Sequence, residues 1–251
     1  MAIRPWLMCC NKEGTMAQKK VNAVIHSQEK LAEGIYSMWL DAPERAEVAV
    51  PGQFIAVYTN DPSKLLPRPI SICEADKENG RLRIVYRIAG AGTKEFSECK
   101  AGDTLDIMGP LGNGFPLKKK KAFLIGGGIG IPPMLELAKN LDCEKTAVIG
   151  YRDQETFLAD ELRKYADVVI ATEDGSVGTK GNVIDAIRAE KLTADIIYAC
   201  GPTPMLKALK AYAMENGIEC YISLEEKMAG GIGACLGCVC HSKDIDEHSN
   251  V

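Results

Sequence analysis

Three cysteines fall within six residues near the C-terminus, in the run Gly230-Gly231-Ile232-Gly233-Ala234-Cys235-Leu236-Gly237-Cys238-Val239-Cys240. Thiolates this dense on a glycine-rich loop suit a soft metal or an iron–sulfur cluster. Plant-type [2Fe–2S] loops use the spacing C-x₄-C-x₂-C, with a distant fourth cysteine. Cys235 and Cys238 fit the second and third places, Gly230 stands at the first, and no cysteine follows Cys240. The run therefore reads as an iron–sulfur loop short of ligands, with Cys240 near enough to be recruited, as a different metal site, or as a relic. In the second case Cys235, Cys238, Cys240, His241 and His248 would surround Zn²⁺, because C-x₂-C beside histidine suits a tetrahedral site.

Three further segments carry anion-binding chemistry. Arg68-Pro69-Ile70-Ser71 sets a guanidinium and a hydroxyl on a strand stiffened by proline, which suits a phosphate or diphosphate. Val85-Tyr86-Arg87 ends another strand, and Gly90-Ala91-Gly92-Thr93 follows as a tight turn before a short helical stretch, Lys94–Cys99. Free N–H groups at such a helix start favour an anion. The plain alternative is a turn with Thr93 as N-cap. Tyr86 either covers an isoalloxazine ring or fills a face of its sheet. Two anion-binding elements this close together favour a nucleotide cofactor.

The third segment is Gly126-Gly127-Gly128-Ile129-Gly130-Ile131-Pro132-Pro133, between a strand and a helix. It makes either a diphosphate cradle or a close strand-to-helix crossing. Cys200-Gly201-Pro202 ends a later strand, where ligands of open α/β sheets bind; its alternative is a buried cysteine before a turn. Glu173-Asp174 follows a middle strand, where carboxylates would repel a 2′-phosphate and so favour NAD over NADP.

These residues need two kinds of scaffold. Val21–His26, Tyr36–Leu40, Gln53–Tyr58, Pro69–Glu74, Arg81–Arg87 and Thr104–Met108 are β-rich runs separated by Gly, Pro, Asn and Asp. Their spacing predicts an antiparallel barrel. From residue 122 strands alternate with helices. Ala122–Ile125, Thr146–Tyr151, Val168–Thr172, Ile196–Cys200 and Cys220–Leu224 read as strands. Pro133–Leu141, Phe157–Tyr165, Val183–Glu190 and Pro204–Asn216 read as helices. That alternation implies a doubly wound parallel sheet. The fold class is thus β plus α/β: a disordered extension over 1–17, a barrel over 18–117, an α/β domain over 118–224 and a Cys-rich loop over 225–251. Lys118–Lys121 reads as a solvated linker.

Composition bounds the function. The 251 residues, 46% hydrophobic and 25% charged, make a globular chain of two ordinary domains. A net charge of -4 argues against nucleic acid as the main partner. No apolar run approaches the roughly 20 residues that span a membrane. Residues 1–15 carry too short an apolar run for a signal peptide. The cysteines then read as reduced thiols of a cytoplasmic protein.

With these motifs the chain resembles the ferredoxin–NADP reductase superfamily over roughly residues 18–240. Within it, Arg68–Ser71, Ile88–Thr93 and Gly231–Cys238 resemble the electron-transfer subunits of bacterial NAD-dependent dihydroorotate dehydrogenases. The resemblance implies FAD on the barrel, held by Arg68, Pro69, Ile70, Ser71, Val85, Tyr86, Arg87, Gly92 and Thr93. It implies NAD on the second domain, where Gly126, Gly127, Gly128, Gly130, Cys200, Gly201 and Pro202 are the candidate contacts. It also implies a [2Fe–2S] cluster with Cys235 and Cys238 as ligands, although Gly230 replaces a family cysteine. Electrons would pass between FAD and an FMN-containing catalytic subunit of a heterotetramer in pyrimidine biosynthesis. Small flavin–iron–sulfur subunits of transhydrogenases or sulfide dehydrogenases remain an alternative, as does a zinc-stabilised interaction module.

Overall fold

A computed structural model describes residues 3–7 and 19–224, residue 62 excepted. Ile3–Leu7 forms a strand, β1, although the sequence predicts disorder there. It lies beside the last strand of a sheet, whose edge otherwise offers unpaired backbone groups.

The first unit is a closed antiparallel barrel. Its strands are β2 (Val21–Ala32), β3 (Ile35–Asp41), β4 (Phe54–Val57), β5 (Arg68–Asp76), β6 (Arg81–Arg87) and β7 (Thr104–Leu111), in the order β2-β3-β6-β5-β4-β7. Alternation sends Leu82, Ile84 and Tyr86 of β6 inward, against Ile70 and Ile72 of β5 and Met38 and Leu40 of β3. Arg81, Arg83 and Arg87 take the opposite face. A bulge between Ile72 and Glu74 shifts the β5 register. Two helices accompany the barrel, α1 (Pro43–Val48) and α2 (Ala91–Glu98). The periodicity does not single out α1, because its six residues carry one short apolar face around the buried Ala46.

The second unit is a seven-stranded sheet with helices. Its strands include β8 (Ala122–Gly127), β9 (Lys145–Tyr151), β10 (Asp167–Thr172), β11 (Thr179–Lys180), β12 (Ile196–Cys200) and β13 (Glu219–Leu224). The order is β1-β13-β12-β8-β9-β10-β11, and the pairings from β13 through to β11 are all parallel. The helices are α3 (Pro132–Asn140), α4 (Ala159–Leu162), α5 (Val183–Ala189) and α6 (Thr203–Asn216). Val183, Ala186 and Ile187 of α5 and Leu206, Leu209 and Ala213 of α6 bury one face of the sheet with Phe123, Ile125 and Ile197. None of the helices among the described residues is long and apolar enough to cross a membrane. The helix expected over Phe157–Tyr165 shortens to four residues. The Tyr151 hydroxyl donates to the Phe157 carbonyl, and Leu158 adopts a left-handed φ of 66° just before α4.

Lys118–Lys121 departs from a plain solvated linker. Lys118 pairs with Glu219 and lies over the Tyr221 ring. Lys120 also reaches Glu219, at 3.1 Å, while Lys119 pairs with Asp142 at 2.8 Å and Lys121 with Glu144 at 2.7 Å. Hydrogen bonds from Lys118, then from the Tyr221 hydroxyl, hold the Glu219 carboxyl down at about 2 from an ordinary 4.5. A depressed carboxyl contributes stability that is present above its unfolded pKa and lost as pH falls toward the folded one. Glu219→Gln is therefore expected to lower unfolding stability by about 1 kcal/mol at neutral pH, as for a half-exposed ion pair. Denaturant titrations should show the gap between wild type and variant close between pH 4.5 and 2. A gap that persists at pH 2 would remove the electrostatic account.

Candidate functional site

The barrel site is built on β5 and α2. Arg68 opens β5. Its guanidinium lies so close to Gly92 that a Cβ there would stand 2.5 Å from Arg68 Nε. The structure thus brings together two of the residues expected at one site. The turn at Gly90–Thr93 differs from expectation in one respect. The helix already starts at Ala91, with Gly90 as its N-cap, and Thr93 is the third helical residue. Thr93 Oγ1 accepts the N–H groups of Ala89 at 2.8 Å and Gly90 at 3.2 Å, and donates to the Gly90 carbonyl at 3.1 Å. Its hydroxyl is spent on the turn, and the amides of Ala91 and Gly92, the first two helical residues, have no acceptor within the helix. One guanidinium above a row of helix-start amides fits a diphosphate.

The remaining barrel candidates divide. Tyr86 fills the barrel: it is buried, stacks on Tyr36 with centroids 6.0 Å apart, and meets the edge of Phe96. Burial pushes its phenol pKa up, so the hydroxyl stays protonated and donates to Gln28 Oε1 at 2.8 Å. Ile70 belongs to the same core, and Val85 is buried opposite Ser37 of β3. Pro69 and Arg87 are exposed, and Ser71 is half-buried opposite Phe54. The loop between β4 and β5 contributes a group that motif spacing does not reveal. Lys64 Nζ sits 2.6 Å from Glu95 of α2, a contact between residues 31 apart in the chain.

The second unit places its candidates at one point of the sheet. β8 is central. The chain builds outward through β9 and β10, then returns to β12 on the other side of β8. The glycine loop after β8 and Cys200-Gly201-Pro202 after β12 flank that reversal, the place where open α/β sheets take ligands. Three of the glycines answer a packing demand. A Cβ on Gly126 would stand 2.8 Å from the Ile131 Cα, one on Gly127 2.6 Å from Met205 Sδ, and one on Gly130 2.2 Å from the Cys200 carbonyl oxygen. The half-buried Gly128 and Ile129 form the accessible tip, and Gly128 takes a left-handed φ of 53°. Pro132 and Pro133 fill the first two positions of α3, and neither has an N–H. Glu173 and Asp174 lie exposed just past β10, and Asp174 Oδ1 accepts the Ser176 N–H at 2.9 Å. These groups fit a dinucleotide without a 2′-phosphate.

Cys235, Cys238 and Cys240, with Gly230, lie outside the described residues. Among the described residues no three His, Cys, Asp or Glu side chains gather into a metal site. Among the described residues, Cys73, Cys99, Cys143, Cys200 and Cys220 form no disulfide.

Comparison with known proteins gives the family of the chain. Residues 22–115 match the family model of the oxidoreductase FAD-binding domain. A solved NADH-dependent reduced ferredoxin–NADP oxidoreductase, described in the context of flavin-based electron bifurcation, is 31% identical with a TM-score of 0.80, over 86% of this chain and 80% of that one. A two-unit flavoprotein reductase fold is thereby defined. The electron transfer subunit of dihydroorotate dehydrogenase B (NAD(+)) from Geobacillus sp. strain WCH70 is 43% identical over 90% of both chains. Its Streptococcus mutans counterpart is 44% identical over 92% of both. The chain belongs to the family of these electron transfer subunits.

Proposed function

We propose that this chain carries electrons between NAD(H) and a separate FMN-containing dihydroorotate dehydrogenase subunit, by way of FAD held on its barrel. The observation that carries the reading is Arg68 set against Gly92 at the open amides of α2, in a chain whose relatives are electron transfer subunits. Bound FAD supplies the redox chemistry, exchanging a hydride with nicotinamide and passing electrons onward. The chain's own residues position and exclude. Arg68 would pair with the diphosphate, the amides of Ala91 and Gly92 would donate to it, and Gly92 leaves Arg68 the space a side chain would take. In the second unit the tip at Gly128 and Ile129 meets the dinucleotide, and Glu173 and Asp174 turn away a 2′-phosphate by like charge.

The partner is a catalytic subunit, and the assembly is proposed as a heterotetramer in the cytoplasm. Cys235 and Cys238, with Cys240 near enough in sequence to be recruited, would be the thiolates on offer to a [2Fe–2S] centre, which would supply one-electron transfer. Purified protein should be yellow and release FAD rather than FMN. Stopped-flow mixing should show NADH reducing the bound flavin at least about tenfold faster than NADPH, the factor for roughly 1.4 kcal/mol of discrimination. Equal rates would remove the role of Glu173 and Asp174. Bound FMN in place of FAD would sink the proposal as a whole.

A further inference from the structure

The loop from Thr59 to Pro67 is fastened to α2 through one carboxylate. Glu95 Oε1 accepts the Asn60 N–H at 2.7 Å, and Glu95 Oε2 accepts Lys64 Nζ at 2.6 Å. Lys64 also lies 3.2 Å from Asp61, which in turn accepts the N–H and hydroxyl of Ser63. Asn60 Nδ2 donates to the Thr104 carbonyl at 3.2 Å. The Lys64 and Glu95 side chains are 24% and 22% exposed, so water only partly screens the pair. Burial alone would raise the Glu95 carboxyl, yet bonds from Lys64 and the Asn60 amide hold it below its ordinary value. The hydrogen bond to Glu95 raises the Lys64 ammonium in turn.

The other end of the loop meets the same helix. Arg68 donates to the Leu66 carbonyl and lies against Gly92, one turn before Glu95. Both ends of the loop are thus set on α2, one by Glu95 and the other at the anion site. We infer, on the reading of that site as the FAD site, that Lys64 and Glu95 are positioning residues for the flavin nucleotide. They hold the loop on α2 so that Arg68 stays over the first-turn amides. Lys64 has a second effect. It cancels the charge of a carboxylate on the helix that receives an anion, and like charges at such a site repel.

The two effects make the variants unequal. Lys64→Met removes one of the two bonds that tie the loop to Glu95 and leaves the Glu95 carboxylate uncancelled. Glu95→Gln frees Lys64 but keeps a carbonyl for the Asn60 N–H and adds no negative charge. The experiment is titration of FAD into flavin-depleted full-length protein, followed by fluorescence quenching, with melting of each flavin-free variant. Lys64→Met should weaken FAD binding about tenfold, within the range for residues that act on a site through others. Glu95→Gln should weaken it less, the double variant should lose less than the sum, and Lys64→Arg should restore most of the affinity. Melting of the flavin-free protein should move little. Arg68→Ala in the same series separates the two levels. If it weakens FAD binding while Lys64→Met stays within about threefold of wild type, the inference is overturned and the FAD reading stands. If Lys64→Met does not fold, Glu95→Gln decides: a measurable loss of FAD affinity supports the inference, and affinity equal to wild type counts against it equally. Arg68→Ala without loss removes the site assignment and this inference with it.

Discussion

Arg68→Ala is expected to weaken FAD binding by about 1.5–3 kcal/mol, the range for hydrogen bonds to a charged group, or roughly ten- to hundredfold in affinity. The side chain is half-buried at the start of β5, and its guanidinium lies against Gly92 and donates to the Leu66 carbonyl. Truncation removes that fork while leaving Ile70 and Ile72, the inward residues of β5, in the core. Flavin occupancy at limiting FAD should therefore fall much further than the melting temperature of flavin-free protein. Full occupancy in the variant would withdraw Arg68 from the site. FMN, which has one phosphate, offers a control: its weaker binding should be less sensitive to the substitution.

Gly130→Ala is expected to damage the second unit and spare the first. The new Cβ would lie 2.2 Å from the Cys200 carbonyl oxygen and 2.6 Å from the Gly201 nitrogen. Neither can retreat easily, because β12 is held between β8 and β13. Overpacking of this kind costs about 1–3 kcal/mol, sometimes more. For a chain of this size that corresponds to a fall of roughly 2–12 °C in melting temperature. NADH-driven flavin reduction should slow, because the loop and the end of β12 flank the strand reversal. FAD binding should persist, because the barrel has its own core. A variant with wild-type melting and wild-type reduction would show that the crossing has room to spare.

The elements were readable where local signals agreed. The strand Ile196–Cys200 matches expectation at both ends, since an unbroken apolar run stops at Gly201-Pro202. Arg81–Arg87 matches because turn residues precede it and its alternate residues face the core. The short α4 was not readable, because a tertiary bond from Tyr151 keeps Phe157 out of the helix. The lysine run gave no hint of its order, since Glu219, Asp142 and Glu144 reach it from elsewhere in the chain. At the site, motif spacing found Arg68 and Gly92 separately, and their contact follows only from closing the barrel. Lys64 and Glu95 carried no motif, as their meeting depends on how a loop returns to a helix. For the glycine loop the sequence left cradle and crossing both open. Gly126, Gly127 and Gly130 answer to the crossing, and the tip at Gly128 and Ile129 is what remains for a ligand.

The prolines that open α3 bear on how long each nucleotide stays. α2 begins with Ala91 and Gly92, both of which have an N–H to give, whereas α3 begins with Pro132 and Pro133, which have none. On the proposed reading, in which the glycine loop before α3 takes the nicotinamide nucleotide, two missing donors at about 0.5–1.5 kcal/mol each would shorten its residence by roughly five- to a hundredfold. A flavin that serves turnover after turnover gains from the fuller grip. A nicotinamide nucleotide must depart once it has reacted, and at that proposed site a helix start stripped of amides would let it go.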